Sequence, residues 1–259
     1  MHAALELTNL AKSYRKHQAV QDLNLAVQKG ELFGFLGPNG AGKTTTIKML
    51  TGLLEPTNGS AEISGIDIWQ HPLKAKEKLA YVPDQPNLYP KLTGWDYLEF
   101  VASVFQLQKD WFQERANELL ASFNLTEQAN DLIESYSHGM KQKIALCGAL
   151  IHEPDVLFMD EPTVGLDPKS ARTLKNLLQQ LCASGMTVFL STHILEIAEE
   201  MCDRVGIIYE GEVIALGTMD ELRGGDDADK SLEDIFLELT GGEDQQAIIS
   251  EMTNHGDAT

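Results

Sequence analysis

The stretch ELFGFLGPNGAGKTTTIKML, residues 31–50, decides the fold class. It opens with an apolar run that predicts a buried β-strand, passes through a glycine-rich loop, and predicts a helix from Lys43 onward. The loop GPNGAGKT, Gly37–Thr44, matches the phosphate-binding pattern G-x-x-x-x-G-K-[ST] in the strand–loop–helix context that this pattern requires. The stretch therefore predicts an α/β fold with a phosphate-binding loop.

The chemistry of this loop indicates a nucleoside triphosphate as its ligand. Its backbone N–H groups would surround the β-phosphate, Lys43 would reach the β- and γ-phosphate oxygens, and the Thr44 hydroxyl would bind Mg²⁺. The alternative is a glycine-rich turn that binds nothing. The residues predicted to bind nucleotide here are Gly37, Pro38, Asn39, Gly40, Ala41, Gly42, Lys43, Thr44 and Thr45.

An acidic motif further along the chain indicates hydrolysis. In VLFMDEP, residues 156–162, four apolar residues end in two carboxylates, at the carboxyl end of a predicted strand, where ligands bind in open α/β sheets. Asp160 is predicted to hold Mg²⁺ and Glu161 to act as general base on the attacking water. The alternative is a solvated strand end, for which acidic residues are common.

His193 follows another predicted buried strand, TVFLST, and so lies at a strand's carboxyl end as well. An imidazole there could form a hydrogen bond with a γ-phosphate. A lone histidine is more often structural, and its position after the strand is what favours a catalytic role.

The segment YSHGMKQK, residues 136–143 and here called the signature segment, predicts a second helix start suited to an anion. Ser137 is a candidate N-cap, Gly139 has no side chain, and an apolar helical run follows. The N-terminus of a helix attracts phosphate through its unpaired N–H groups and its dipole. One chain would thus carry two phosphate-facing helix ends.

Bulk composition limits the classes of protein. The 259 residues suffice for one large domain or two small ones, and the net charge of −19 argues against nucleic acid as the main partner. Three cysteines without a C-x-x-C pair argue against a disulfide framework or zinc site and favour a reducing compartment. Neither a signal-peptide pattern nor a membrane-spanning apolar run is present. The predicted location is cytoplasmic, and any work at a membrane would need a partner.

The pattern along the chain predicts a core of residues 1–81 and 152–222 with an inserted helical lobe of residues 82–151. Within the core, AEISGIDI (residues 61–68) is predicted as one strand, and residues 204–217 as a hairpin that turns at 210–211. Thr93 and Asp96 form the pattern of a capping box for a helix in the lobe. Residues 223–259 form an acidic tail, with a short helix over 231–240 that either packs on the core or binds a partner.

Five motifs occur in one order: GPNGAGKT, the signature segment, VLFMDEP, GLD and STH. In these motifs the chain resembles the ATP-binding subunit of an ABC transporter, over residues 1 to about 220. The resemblance implies a P-loop NTPase core, a mixed sheet with an antiparallel β part and an inserted α-helical subdomain, with ATP and Mg²⁺ as cofactors. It also implies that two ATPase subunits pack head to tail, so that Ser137 and Gly139 of one contact the ATP of the other.

Other positions are assigned through the same resemblance. Tyr14 matches the aromatic residue that stacks on adenine, although an ordinary strand tyrosine is the alternative. Gly165, Leu166 and Asp167 match the loop that links the two active sites. Asp167 is therefore predicted to contact nucleotide, and it also suits a helix N-cap.

Two motifs depart from the family's usual pattern. The commonest signature is Leu-Ser-Gly-Gly-Gln, whose first, third and fifth residues are replaced here, while Ser137 and Gly139 are kept. The family usually has glutamine after Tyr-x-Pro, but YVPDQP places Asp84 there and Gln85 next to it. Both residues are predicted to lie beside the metal ion, and Asp84 is preferred over Gln85 as its ligand. The acidic residue, the S-x-GMKQK signature and the tail SLEDIFLELT resemble exporter-associated members.

The implied partners are an integral membrane permease, which would hold the chain at the inner face of the membrane, and a second ABC ATPase subunit; no nucleic acid is expected. In the lobe, four residues form either the groove for permease helices or simply the lobe's core: Tyr89, Leu92, Trp95 and Tyr97.

Three alternatives to transport are weaker. A soluble ABC-type ATPase of translation or DNA repair usually carries two ATPase units or a long coiled coil. A GTPase or small-molecule kinase would leave the signature segment unexplained, and no N-K-x-D motif is present. A regulator that binds ATP without hydrolysing it would not need Glu161.

Overall fold

The computed structural model describes residues 3–15, 17–163, 168–224 and 230–240, and of residues 168–170 only the backbone. The strands in these ranges are β1 (Ala3–Tyr14), β2 (His17–Gln28), β3 (Leu32–Leu36), β4 (Asn58–Ile63), β5 (Ile66–Asp67), β6 (Leu79–Val82), β7 (Val156–Asp160), β8 (Thr187–Thr192), β9 (Arg204–Tyr209) and β10 (Glu212–Gly217). The helices are α1 (Lys43–Leu50), α2 (Pro72–Lys78), α3 (Gly94–Val104), α4 (Lys109–Ser122), α5 (His138–Leu150), α6 (Pro168–Ala183), α7 (Leu195–Met201), α8 (Met219–Arg223) and α9 (Leu232–Thr240), with a 3₁₀ turn at Ile133–Ser135.

The strands form two sheets. The first is antiparallel, in the order β2-β1-β4-β5, and the second has the order β10-β9-β3-β8-β7-β6. In the second sheet β9, β3, β8, β7 and β6 run parallel, and β10 is an antiparallel edge strand. The predicted α/β class, with a mixed sheet and an antiparallel β part, is confirmed.

The six-stranded sheet is buried on both faces, and the alternation of its side chains assigns each face to one layer. Phe33, Phe158 and Phe189 lie on the face that packs against α1 and the antiparallel sheet, and ring centroids in this cluster are 5.5–5.6 Å apart. Leu157 and Leu190 point to the opposite face and pack with the helices. Burial of both faces explains why these strands are continuous apolar runs.

Helices α3, α4 and α5 lie between β6 and β7 in the chain, as the predicted lobe requires, although its boundaries stay a prediction. Trp95 packs edge-on against Phe112 with ring centroids 5.5 Å apart. A Cβ atom at Gly148 would lie 2.7 Å from the Tyr97 ring, so these two residues pack in close contact. Trp95 and Tyr97 therefore belong to the core of the lobe, whereas Tyr89 is 52% exposed.

A predicted cap and a predicted turn are both present in the structure. The Thr93–Asp96 capping box is present, and β9 and β10 turn at Glu210–Gly211, where both residues have positive φ. The prediction of one strand over residues 61–68 was wrong. Ser64 and Gly65 have φ of 50° and 75° and turn the chain back between β4 and β5. A Ser-Gly pair is a turn signal, and here it outweighs the strand pattern around it.

The helix of the tail packs on the core, which is the first of the two alternatives given for it. Ser231 and Asp234 cap α9 through reciprocal hydrogen bonds of 3.1 and 3.2 Å. Leu232, Ile235 and Phe236 are buried with side chains of α7, β9 and β10. The rest of the predicted tail, apart from residues 223–224 and 230–231, lies outside the described residues.

Candidate active site

Four neighbouring parallel strands end at one edge of the sheet and supply the site. The loop that starts at Gly37 follows β3, and Glu161 directly follows β7. His193 directly follows β8, and Asp84 follows β6 after one residue. The fold thus gathers segments that lie far apart in the sequence, at the edge where parallel sheets bind their ligands.

Glycine is required twice in the phosphate loop because other strands pass close to it. A Cβ atom at Gly37 would lie 2.2 Å from the carbonyl oxygen of Ile208, in β9. Gly42 has φ of 115°, and a Cβ atom there would lie 2.6 Å from the carbonyl oxygen of Ala19, in β2. These two glycines let the loop lie between β2 and β9 and direct the start of α1 into the site.

Lys43 is folded back into this loop and is only 6% exposed. Its Nζ donates to the carbonyl oxygens of Gly37, at 2.7 Å, and Pro38, at 3.2 Å. The same nitrogen lies 3.3 Å from Oε1 of Glu161. The ammonium group is therefore satisfied by groups that a phosphate oxygen could replace.

Asp160 is held by two hydroxyl groups, one on each carboxylate oxygen. Thr44 Oγ1 donates to Oδ2 at 3.1 Å, and Ser191 Oγ donates to Oδ1 at 2.5 Å. Thr44 and Asp160 were predicted to bind the same metal ion, and the structure places them in contact. A hydroxyl and a carboxylate are oxygen ligands of the kind that Mg²⁺ prefers.

Glu161 is tied to the neighbouring strand by its backbone and its side chain. Its φ of 49° is left-handed, and its N–H donates to the carbonyl oxygen of Ser191 at 3.1 Å. Its Oε2 lies 3.2 Å from the backbone nitrogen of His193 and 2.8 Å from Nδ1 of the ring. Because an ionised carboxylate only accepts hydrogen bonds, Nδ1 is the protonated nitrogen.

Burial of Glu161 favours its neutral form, but the hydrogen bond from His193 and the charge of Lys43 outweigh this effect. The net result is that the pKa of the Glu161 carboxyl is lowered. Glu161 is therefore an ionised carboxylate at neutral pH, which is the state that a general base requires.

Asp84 is brought close to the other carboxylates. Its pKa is raised, by burial and by the negative charges of Asp160 and Glu161, while His138 and His193 oppose the shift. Three carboxylates at one edge repel one another in the absence of a cation. Lys43 offsets part of this repulsion, and a bound cation would relieve more of it. Among the described residues, no group of three or more His, Cys, Asp or Glu side chains has the arrangement of a metal site.

A cavity of about 660 Å³ connects many of the predicted residues, but Gly37, Pro38, Ala41 and His193 are not among those that line it. Its lining includes Tyr14, which is 45% exposed and stays accessible for stacking, and Lys12 Nζ lies 5.5 Å from the centroid of that ring. The lining residues are Tyr14, His17, Ala19, Asn39, Gly40, Gly42, Lys43, Thr44, Thr45, Lys48, Tyr81, Pro83, Asp84, Gln85, Asp160 and Glu161.

The signature segment lies outside the cavity, since none of the described residues that line the cavity belongs to it. Ser137 is the N-cap of α5, as predicted, and its hydroxyl accepts from the backbone N–H of Met140 at 3.3 Å. A Cβ atom at Gly139 would have nothing within 4 Å, so this face of the helix end is open. The structure thus does not bring Ser137 and Gly139 to the chain's own phosphate loop.

The first substituted position of the signature has a structural explanation. Tyr136 is 4% exposed, and its hydroxyl donates to the carbonyl oxygen of Gln128 at 2.6 Å. A Cβ atom at Gly94 would lie 2.4 Å from the same hydroxyl oxygen. Tyr136 therefore packs inside the lobe, and its replacement of the usual leucine leaves the open face unchanged.

Some residues were not identified from the sequence, and one prediction is outside the structure. Ser191 and Gln142 were both missed; Gln142 Nε2 donates to the carbonyl oxygen of Pro162 at 2.5 Å and joins α5 to the loop after Glu161. The signal for Ser191 was a hydroxyl at the end of an apolar strand. Asp167, with the rest of its GLD motif, lies outside the described residues.

Comparison with known families decides the assignment. The family model described as ABC transporter matches residues 20–164. The chain belongs to the ABC transporter family. Within that family it is an ATP-binding subunit with ATPase activity, and its core is a P-loop NTPase fold.

Two bacterial relatives illustrate the match. The linearmycin resistance ATP-binding protein LnrL of Bacillus subtilis (strain 168) is 44% identical, over 86% of this chain and 72% of the relative. The SkfA peptide export ATP-binding protein SkfE of the same organism is 40% identical, over 81% of this chain and 87% of the relative. Both are named as ATP-binding proteins, in agreement with the motifs.

Solved structures agree as well. An ATP-binding subunit of an ABC transporter superposes with a TM-score of 0.84 at 35% identity, covering 92% of this chain and 99% of that chain. A dimeric ATP-binding cassette in a post-hydrolysis state, bound to ADP and Pi, has a TM-score of 0.74 at 28% identity, covering 83% and 98%. Within the described ranges of the present chain, no helix is both long and apolar enough to cross a membrane.

Proposed function

We propose that this chain is the ATPase of an exporter, and that it binds two Mg²⁺–ATP molecules between two ATPase subunits. The observation that carries the proposal is a set of contacts at one edge of the sheet. Lys43 and His193 both contact Glu161, and Thr44 of the phosphate loop contacts Asp160. Closure of the subunits on ATP and their reopening after hydrolysis would drive the transport cycle.

Each residue then has a defined task. Lys43 exchanges its loop carbonyls and Glu161 for the oxygens of the γ-phosphate, which leaves Glu161 available to accept a proton from the attacking water. His193 holds the Glu161 side chain in place through Nδ1. Thr44 and Asp160 would hold Mg²⁺, with Asp84 ranked above Gln85 as a further ligand. When bound, the ion would neutralise phosphate charge and orient the phosphates.

The second subunit completes the site. The open end of α5, with Ser137 and Gly139, has no role in the chain's own cavity and would contact the γ-phosphate on the partner. Its helix dipole would add attraction for that phosphate. The dimeric state of a structurally similar cassette supports this arrangement. Asp167, in the motif that the resemblance assigns to the loop linking the two active sites, would contact nucleotide.

A groove of about 270 Å³ between core and lobe is suited to a cytoplasmic helix of a membrane permease. Its lining includes Leu53, which is 62% exposed, together with Tyr81, Phe105 and His152. Exposed apolar side chains in a groove favour an amphipathic helix as occupant. The permease would hold this cytoplasmic chain at the inner face of the membrane. Export, rather than import, agrees with the printed names of relatives.

Purification from detergent-solubilised membranes of the host tests the transport function. We expect a polytopic membrane protein to co-purify with the tagged chain, because the groove needs an apolar occupant. Leu53→Glu should abolish this association, since a charge would be buried in the contact. Leu73→Glu is the matched control, because Leu73 is 79% exposed on α2 and does not line the groove.

The opposite result would support the remaining alternative. If the wild-type chain stays alone in the soluble fraction, or purifies with ribosomes or DNA, a non-transport ABC ATPase is the better description. Neither relative reported above is named for such a role.

Asp84→Asn tests the proposal that Asp84 is a ligand of the metal ion. The raised pKa of Asp84 means that its charged form is unfavourable in the folded protein, so the variant should be more stable at pH 7. Because Asp84 is exposed, solvent screening should keep the rise in Tm small. The gain should disappear as the pH falls through the raised pKa, because Asp84 then becomes neutral. Differential scanning fluorimetry in EDTA measures this effect.

With Mg²⁺ and ATP present, the sign should reverse, because the variant then lacks a ligand charge. Glu99→Gln, at an exposed site on α3, removes a negative charge elsewhere and should leave Tm nearly unchanged in both conditions. An unchanged Tm of Asp84→Asn across all conditions would contradict the placement of Asp84 beside the other carboxylates.

A further inference from the structure

Ser191 lies beside the two acidic residues of the site and is the first residue of the STH motif, but no role was predicted for it. In the parallel pairing of β7 with β8, Ser191 is the register partner of Asp160. Its side chain is fully buried at 0% exposure, and Oγ donates to Oδ1 of Asp160 at 2.5 Å. A hydroxyl bonded to a charged group makes one of the stronger hydrogen bonds in proteins.

The same residue also fixes the backbone of Glu161. The Glu161 N–H donates to the Ser191 carbonyl oxygen at 3.1 Å and is 3.3 Å from Ser191 Oγ. Glu161 has a left-handed φ of 49°, which is uncommon for residues other than glycine and needs support from its surroundings. One hydroxyl therefore contacts both the carboxylate of Asp160 and the amide of Glu161.

The residues around Ser191 in β8 are apolar, so its buried hydroxyl needs a hydrogen-bond partner. The preceding residues of β8 include Val188, Phe189 and Leu190, all fully buried. An apolar residue would fill such a position without a desolvation cost, whereas a buried hydroxyl is unfavourable unless it is bonded. Here the bond goes to Asp160, so the hydroxyl acts on the residue predicted to hold the metal.

The two oxygens of Asp160 have different partners, and this defines a function for Ser191. Oδ2 accepts from Thr44, a predicted metal ligand, while Oδ1 accepts from Ser191, which lies in the strand. A cation that draws the Thr44 hydroxyl away would leave Ser191 holding the carboxylate in the same orientation. We propose that Ser191 is a positioning residue that orients Asp160 for Mg²⁺. The proposal rests on the Mg²⁺–ATP site proposed above.

Ser191→Ala tests this proposal through metal affinity rather than activity. We expect ATP affinity in EDTA, measured with a fluorescent ATP analogue, to be unchanged. The affinity for Mn²⁺ in the presence of ATP, measured by the EPR signal of free Mn²⁺, should fall by about 10-fold or more, as is usual when a residue that orients a metal ligand is lost. Ser191→Thr keeps the hydroxyl and should restore most of the affinity.

Thr187→Val is the matched control for the loss of a buried hydroxyl. Thr187 is fully buried at the other end of β8, on the same side of the strand, and its hydroxyl bonds backbone groups of Gly30 and Gln28. The control should lose stability but keep the Mn²⁺ affinity of the wild type. If Ser191→Ala folds poorly, Ser191→Cys keeps a similar volume with a weaker donor and should show a smaller loss of Mn²⁺ affinity.

The outcomes separate this inference from the proposed function. Equal Mn²⁺ affinities for the wild type and Ser191→Ala, or for the wild type and Ser191→Cys, would overturn the role of Ser191 and leave the Mg²⁺–ATP site intact. A wild-type chain that binds ATP but no Mn²⁺ would instead overturn the proposed metal site itself.

Discussion

Replacement of Glu161 by glutamine is expected to slow ATP hydrolysis by at least about 100-fold, which is the lower range for loss of a general base. The substitution keeps the size of the side chain and removes its ability to take a proton. Lys43 and the phosphate loop are unchanged in this variant, so ATP binding should persist. Because ATP then remains bound, the closed dimer should accumulate.

Two measurements check this expectation together. Steady-state phosphate release gives the rate, and light scattering after size-exclusion chromatography gives the mass with and without Mg²⁺–ATP. Glu114→Gln, on an exposed face of α4, is the matched control and should behave as the wild type. Rapid hydrolysis by Glu161→Gln would contradict the assignment of Glu161 as the general base.

Gly139→Asp is expected to reduce steady-state hydrolysis by at least about 50-fold, since juxtaposed like charges cost several kcal/mol. A carboxylate at the open end of α5 would face the γ-phosphate on the partner subunit. Nothing lies within 4 Å of the new Cβ position, so the folded chain accommodates the side chain. An acidic residue in the first turn of a helix is also favourable.

Binding of ATP to the single subunit should stay at wild-type strength in this variant, because Gly139 does not line the cavity. Gly139→Ala adds volume without charge and should retain most of the activity. Wild-type hydrolysis by Gly139→Asp would contradict the proposed role of α5.

The position of the site at the carboxyl edge of the sheet could be predicted from the sequence, because the strands that supply it are apolar runs that end in polar motifs. VLFMDE and TVFLSTH each place their polar residues directly after a buried strand. The carboxyl ends of parallel strands meet at one edge, so Glu161 and His193 were both expected at that edge, although their contact was not predicted. The structure brings them to 2.8 Å; their catalytic roles stay predictions.

Which side chains of the site contact one another could not be predicted from the sequence, because these contacts depend on the register of neighbouring strands. Whether Ser191 or Thr192 lies opposite Asp160 is decided by the pairing of β7 with β8. A shift of one residue would have turned the hydroxyl to the other face of the sheet. The contact of Lys43 with Glu161 likewise needs the fold, because separate segments of the chain supply the two residues.

Mixing two inactive variants tests the central claim that each ATP site is built from two chains. Glu161→Gln impairs the base of its own loop, whereas Gly139→Asp impairs the site on the partner. In a mixed dimer both defects fall in one site, and the other site is intact. Combined in equal amounts before ATP is added, the variants should recover about a quarter of the wild-type rate, because half of the dimers are mixed and each has one working site. No recovery, with mixed dimers present, would contradict the shared site.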